Sequence, residues 1–336
     1  MKIGCLVVVF GMLSIPTISH ARSLSLLGLR LRGPERYWLT TDFEEGQTLQ
    51  YKFVSHRDIV LDWDPGATDA SDRTQNQSDH FEMVIALTPI DVDPYGPSTI
   101  CVVCESVRMR RIGRPTMRGL NEDAVLAAQG KSFVIQVDPR GKIVDTSDLE
   151  RLIGGLGAAA FRANSTRGRI KEPDLIWDFI TGSWFFWDAI ASIERPVVGV
   201  TVGQTWSSKL PVPTPMVMRR ARDVTYRLAD VIETEAGRIA EIDSVYRLAG
   251  SAPSSWPIPY SGRFQLSGTF GFLGGYDITS LTGEGNVQFN IDAGRLERQE
   301  QHYTLGMKAS VPPMGIHANP FITITQTLTT ERIKEQ

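Results

Sequence analysis

The chain has 336 residues, with 35 lysines and arginines against 38 aspartates and glutamates, a formal charge of −3. That near-balance excludes a nucleic-acid binder that works through a basic face. Three cysteines are too few for a disulfide scaffold.

The first predicted element is a secretory signal. Lys2 supplies a positive start, Ile3 to Leu13 is an almost unbroken apolar run, Pro16 breaks the helix, and Ser19-His20-Ala21 sets small residues where a signal peptidase reads. The run is shorter than a membrane span, and no later segment approaches the roughly 18 apolar residues that one needs. Cleavage after Ala21 is expected. It removes Cys5 and Lys2 and leaves 34 basic residues against 38 acidic ones. The mature protein is then exported, periplasmic or extracellular, with about 315 residues, enough for a substantial core. Residues 22–45 form a lead segment.

Strand patterns follow. Leu49, Tyr51 and Phe53 alternate with Thr48, Gln50 and Lys52, and Ile59, Leu61 and Trp63 repeat the period. Residues 66–79 are polar and read as a loop after the turn signal at Pro65. Phe81, Met83, Ile85 and Leu87 form one face of the next strand, and Ile100 to Met109 its partner beyond an Asp93-Pro94-Tyr95-Gly96-Pro97 turn. Lys131 to Val137, the turn Asp138-Pro139-Arg140-Gly141, and Lys142 to Val144 predict a hairpin.

Ser147-Asp148-Leu149-Glu150 is a capping-box signature. Leu149, Leu152, Ile153 and Leu156 continue at helical spacing, so a helix is expected from Ser147. A second apolar segment, Leu175 to Ile193, carries Trp177, Phe179, Trp184, Phe185, Phe186 and Trp187. Strand signals return at Val197 to Trp206, Asp223 to Ile232, Arg238 to Leu248, Gly262 to Phe272, Gly285 to Ile291, Leu296 to Leu305 and Phe321 to Thr329.

Several of these segments resemble earlier ones in order. Gly46-Gln47-Thr48 recurs as Gly203-Gln204-Thr205, Leu87 to Gly96 resembles Leu228 to Gly237, and Glu105-Ser106-Val107 matches Asp243-Ser244-Val245. The hairpin Gly130 to Val144 is echoed by Gly283 to Glu297. Matches that keep their order point to a duplication. The expected fold is mainly β: an antiparallel curved sheet, or sheets, built from two related halves, residues 46–146 and 195–336. A helical, aromatic-rich connector, residues 147–194, is expected to pack on the sheet.

Motifs for catalysis are weak. Cys101-Val102-Val103-Cys104 lies among β-branched residues in a strand, whereas a redox pair needs a helix N-terminus to lower the thiol pKa. Two buried thiols or a local structural disulfide between Cys101 and Cys104 are the alternatives. Gly130-Lys131-Ser132 lacks the earlier glycine of a phosphate loop, since Val125 stands there. Asp145-Thr146-Ser147 lacks the final glycine of the aspartic-protease triplet. The acidic groups at Asp62, Asp64, Asp69 and Asp72, and at Asp91 and Asp93, lack calcium-loop spacing and read as solvated turns. His56, His80, His302 and His317 show no metal spacing. No metal or cofactor is expected. The aromatic cluster Trp177, Phe179, Trp184, Phe185, Phe186 and Trp187 remains as a candidate ligand- or partner-binding surface, set against the alternative that these rings pack a helix on the sheet.

The hairpin GKSFVIQVDPRGKIVD and the segment RPVVGVTVGQTWSS leading into PVPTP resemble an uncharacterised family of secreted bacterial proteins, domains of unknown function without assigned catalytic residues. Exported antiparallel sheets that curl around a helix also look, by analogy, like bacterial lipoprotein-carrier folds, which hold acyl chains. The expected function is therefore binding or structural rather than enzymatic, with an apolar small molecule, a lipid or an envelope protein as partner and no nucleic acid. The alternatives are a hydrolase assembled from distant residues and an assembly subunit docking through a sheet edge.

Overall fold

Alternation of apolar and polar residues at period two turns most of the described chain into strands. The computed structural model describes residues 34–66, 73–113, 124–138, 143–145, 147–149, 151–152, 199–212, 220–251, 274–310 and 320–333. Eleven strands appear there: β1 (Leu49–Asp62), β2 (Thr74–Asp91), β3 (Ser98–Ile112), β4 (Ser132–Val137), β5 (Ile143–Asp145), β6 (Thr205–Pro211), β7 (Ala221–Thr234), β8 (Gly237–Leu248), β9 (Gly274–Asn290), β10 (Arg295–Ser310) and β11 (Phe321–Arg332).

All belong to one sheet in the order β5-β4-β3-β2-β1-β11-β10-β9-β8-β7-β6, and every neighbouring pair is antiparallel. The chain starts at the middle with β1, winds out to the β5 edge, resumes at the β6 edge and winds back to β11 beside β1. The sheet is not closed, because β5 and β6 are not paired. Within that one sheet β1–β5 and β6–β10 are consecutive five-stranded meanders, with β11 between them.

One face is dry and the other wet. Along β1, Tyr51, Phe53, Ser55, Arg57, Ile59 and Leu61 are buried, while the alternate positions are partly or fully exposed. The same alternation places Met83, Ile85, Ile135, Leu228, Ile242, Phe289, Leu305 and Ile324 on the inner face, and they belong to a single apolar cluster fed by the long strands. Each such side chain contributes about 1.5–3 kcal/mol by leaving water. The inner face is strongly curled. The Arg222 Nη1 of β7 donates to Gln301 Oε1 of β10 at 3.4 Å, although three strand spacings alone amount to about 14 Å in a flat sheet.

Gly283 and Gly285 explain part of that curl. Both lie on β9 opposite inner-face residues: Tyr303 and Tyr246 flank Gly283, while Gln301 and Ser244 flank Gly285. A Cβ on Gly283 would collide with the His302 carbonyl and Tyr303 Cβ, and one on Gly285 would come within 2.6 Å of the Tyr246 hydroxyl. The neighbouring tyrosines lie over the space that the missing side chains leave. Register shifts in β2–β3, β7–β8 and β9–β10 add local bending of the kind a β-bulge produces.

Several boundaries differ from the sequence reading. Thr74–Asp79, expected in a polar loop, begins β2, because β1 and β3 supply ladder partners for this polar stretch. The two apolar runs at Leu49–Phe53 and Ile59–Trp63 are one continuous strand to Asp62. Of the described part of Val197–Trp206 only Thr205 and Trp206 are strand: Val200 makes an isolated bridge to Tyr37, and β6 starts at Thr205. Residues 147–149 and 151–152 are helical, yet the cap is Asp145. Its Oδ1 accepts from the Ser147 backbone N–H at 2.9 Å, and its Oδ2 from the Ser147 hydroxyl at 3.2 Å. The expected strand at Gly262–Phe272 and the aromatic segment lie outside the described residues.

Candidate functional site: a polar row on the inner face

One register row crosses the middle of the apolar face and is almost wholly polar. Read from β3 to β6, it runs Arg111, Asp79, Arg57, Gln326, Tyr303, Gly283, Tyr246, Val224 and Ser208, each directly opposite the next. The next row continues the polarity with Ser55, Gln301 and Ser244, and ends on Tyr226 and Trp206. Beyond these two rows apolar residues predominate: Phe53, Val287, Ile242 and Leu228 lie on one side, interrupted by Thr330 and Gln299, and Ile59, Ile324, Leu305 and Leu281 on the other, where Arg222 is the buried charge.

At the β1–β3 end the row is ionic. Arg57 Nη2 donates to Asp79 Oδ2 at 2.7 Å, and Arg111 Nη1 approaches the same oxygen at 3.1 Å. Arg57 is 3% exposed and Asp79 2%, so these charges stand in a poorly screened interior. In the middle, Tyr303 hydroxyl donates to Gln326 Oε1, and Gln326 Nε2 donates to Ser55 Oγ at 2.7 Å. At the β6–β8 end Ser244 Oγ and Tyr246 hydroxyl share a 2.7 Å hydrogen bond, and the Arg222 guanidinium lies 4.8 Å over the Tyr246 ring. Trp206 stacks on Tyr226 with centroids 5.5 Å apart and an interplanar angle of 22°.

The outer face is built for water. Lys52, His56, Asp58, Glu82, Arg108, Arg227, Asp243, Arg298, Glu300 and His302 all carry their charges there, many as cross-strand or neighbouring ion pairs. A lipid-facing barrel needs the reverse, apolar side chains outward and a polar lumen. Among the described residues no helix is long and apolar enough to cross a membrane.

The sequence-selected residues fall into three groups. Cys101 and Cys104 are both free, and they occupy opposite faces of β3, Cys104 buried and Cys101 half-buried. The expected disulfide alternative is not formed, because positions three apart on a regular strand point away from each other. Burial, with a smaller effect of Glu105, pushes the Cys104 thiol up to about 12. Trp177, Phe179, Trp184, Phe185, Phe186 and Trp187 lie outside the described residues.

The histidines are closer than sequence spacing suggested. His80, His56, Thr327 and His302 form one row on the outer face, with His56 and His80 ring centroids 6.2 Å apart. No group of three potential metal ligands assembles among the described residues. His302 Nε2 lies 2.9 Å from Glu300 Oε1 and its Nδ1 3.0 Å from Thr327 Oγ1. Partial burial would raise the Glu300 carboxyl, but the hydrogen bonds from His302 and Arg298 outweigh it and hold it below the usual range.

Sequence reading missed the polar row. Its signal is the polar residue standing at an inward position between apolar ones: Ser55 and Arg57 between Phe53 and Ile59, Gln326 between Ile324 and Leu328, Ser208 between Trp206 and Leu210.

The site belongs to an open eleven-stranded antiparallel sheet with an apolar inner face and a polar waist. No family model matches the chain, and no curated protein matches it. Among solved structures, one of lipovitellin concerned with its lipid–protein interactions is similar with a TM-score of 0.45 and 9% identity, over 88% of this chain. This chain spans 26% of the lipovitellin chain. The outer membrane protein OprG from Pseudomonas aeruginosa is similar with a TM-score of 0.20 and 5% identity, over 88% of this chain and 100% of OprG. At these levels neither similarity bears on function.

Proposed function

We propose that this is an exported, non-enzymatic binding protein that holds an apolar or amphipathic ligand against the inner face of its curled sheet. The observation that supports the reading is the inverted polarity of the sheet: charges outward, an apolar concave face, and a polar row across its middle. A protein whose only task was to be stable would gain by replacing such a row with packed hydrocarbon, since a buried ion pair is often no more stabilising than apolar residues of the same volume. A polar waist between apolar bands does suit a ligand with an oxygen-bearing group between or beside hydrocarbon parts.

Among the described residues the hydrolase alternative has one constellation to offer, Glu300–His302–Thr327. It is of nucleophile–base–acid composition, but it lies exposed on the convex face. Its strands are paired on both sides, so their backbone N–H groups serve the ladder and leave none to stabilise an oxyanion.

Export, with cleavage after Ala21, is part of the same proposal, as is kinship with the uncharacterised secreted family. So is the duplication. It is supported by the matched segments falling at β1 and β6, β2 and β7, β3 and β8, and the hairpins β4–β5 and β9–β10.

Native mass spectrometry of protein purified from its export compartment, followed by organic extraction, tests the reading. An acyl-chain ligand released on extraction, with the polypeptide mass starting at Arg22, is the expected result. A bare chain that also fails to take up oleate would overturn it.

A further inference from the structure

Two polar atoms of the inner face stand apart from the network. Trp206 Nε1 and Ser208 Oγ are buried, and among the described residues neither has a hydrogen-bond partner. The two residues are 9% and 7% exposed, so bulk water does not serve them. A buried donor left unmade costs about 1–3 kcal/mol, and native interiors leave few of them. Here two lie side by side on the same face of the edge strand β6.

The geometry of the pair defines what it would bind. Stacking on Tyr226 holds the Trp206 ring, and an indole N–H can only donate. Ser208 can donate as well. Their positions, two residues apart on one strand, are roughly 7 Å from each other. Two oxygens of one acyl group can each accept from one of the two donors over about 2.8 Å. The surroundings are mostly hydrocarbon, with Leu210, Val224 and Leu228 buried on the same face, and the buried Arg222 of that face stands directly opposite Leu210. Lys209 and Asp223 pair with each other on the outer side.

We infer that Trp206 and Ser208 form an oxygen-acceptor subsite, which takes the carboxylate or ester group of an acyl ligand whose tail lies along the apolar rows. This rests on the binding function proposed above and names the ligand class. A free fatty acid and an esterified acyl chain share that chemistry.

Equilibrium binding of three probes of similar tail length separates the cases: oleate, methyl oleate and the hydrocarbon 8-heptadecene. The full chain is expected to bind at least one oxygenated probe at least about tenfold more tightly than the hydrocarbon, because a site with donors to satisfy disfavours a ligand without acceptors. Preference for oleate assigns a free acid, and equal affinity for oleate and methyl oleate assigns the ester-type contact. Trp206→Phe and Ser208→Ala should each reduce that preference, and together bring the probes within about threefold of one another, with hydrocarbon affinity unchanged. Ser208→Ala removes no hydrogen bond, so its melting temperature should hold or rise; Trp206→Phe also gives up buried ring area, so a cooperative melt and retained hydrocarbon affinity are its guard against a folding defect. Equal affinity of the unmodified protein for all three probes overturns the subsite while leaving apolar binding intact. So does a double variant that keeps its preference. Failure to bind any of the three overturns the binding function itself.

Discussion

The two ends of the polar row are built on opposite principles. At the β1–β3 end, Asp79 stands between Arg57 and Arg111 in a buried ionic cluster. At the β6 end, Trp206 and Ser208 present polar atoms that no described residue engages. Charge in a dry interior demands a partner from the same chain, so the ionic end is structural. Neutral donors cost far less to leave unmade, so the β6 end can be held open for a ligand. The same row thus combines a clasp and, on the proposal made above, a socket.

Breaking the clasp should have the largest effect. Asp79→Ala removes the buried carboxylate shared by Arg57 and Arg111 and should destabilise the protein by about 3–5 kcal/mol, read as a fall in the denaturation midpoint with an unchanged slope. Loss within experimental error would mean that the ionic end is dispensable. Gly283→Ala, in the neutral middle of the row, should cost about 1–3 kcal/mol through overpacking against Tyr303 and the β10 backbone.

The socket should behave in the opposite sense. Ser208→Ala removes an unmade polar group and should leave the unliganded protein equally stable, or about 1 kcal/mol more stable. The contrast in sign with Asp79→Ala is what distinguishes the two ends.

Two smaller effects sharpen the comparison of inner and outer faces. With its thiol pushed up to about 12 by burial, Cys104 should resist alkylation near pH 8 in the folded protein, whereas half-buried Cys101 reacts first. Mass spectrometry of the labelled peptide reads the order. On the outer face, Glu300 is held below the usual carboxylate range. Its stabilising contribution is therefore present above the unfolded value and is lost as pH falls through its lowered one. The group is 36% exposed, so Glu300→Gln should cost less than about 1 kcal/mol near neutrality, and nothing measurable in strong acid.

How much of this was legible in the sequence follows from distance along the chain. Period-two alternation gave the strands of β1, β3, β7, β8 and β11 to within a few residues, because that signal is local. Ser55 and Arg57 stand at inward positions between the two apolar runs, and parity from Tyr51 to Leu61 never changes. Likewise Gly283 and Gly285 hid the middle of β9, which the sequence reading began only at Gly285. What makes those interruptions one site is pairing between remote residues. Arg57 meets Asp79 across 22 positions, and Gln326 meets Ser55 across 271. No local pattern carries that register. It emerges only when β11 closes against β1, and with it the row that a linear reading sees as scattered polar residues.

The central claim is that the inner face, not the outer, receives the ligand. A fatty acid with a photoreactive diazirine in its tail, crosslinked to the full chain and mapped by peptide mass spectrometry, addresses it most directly. Labels on inner-face residues such as Met83, Leu228, Leu281 and Leu305, competed away by oleate, are the result expected. Labels confined to the outer face around His56 and His302, or none that oleate displaces, would contradict the account.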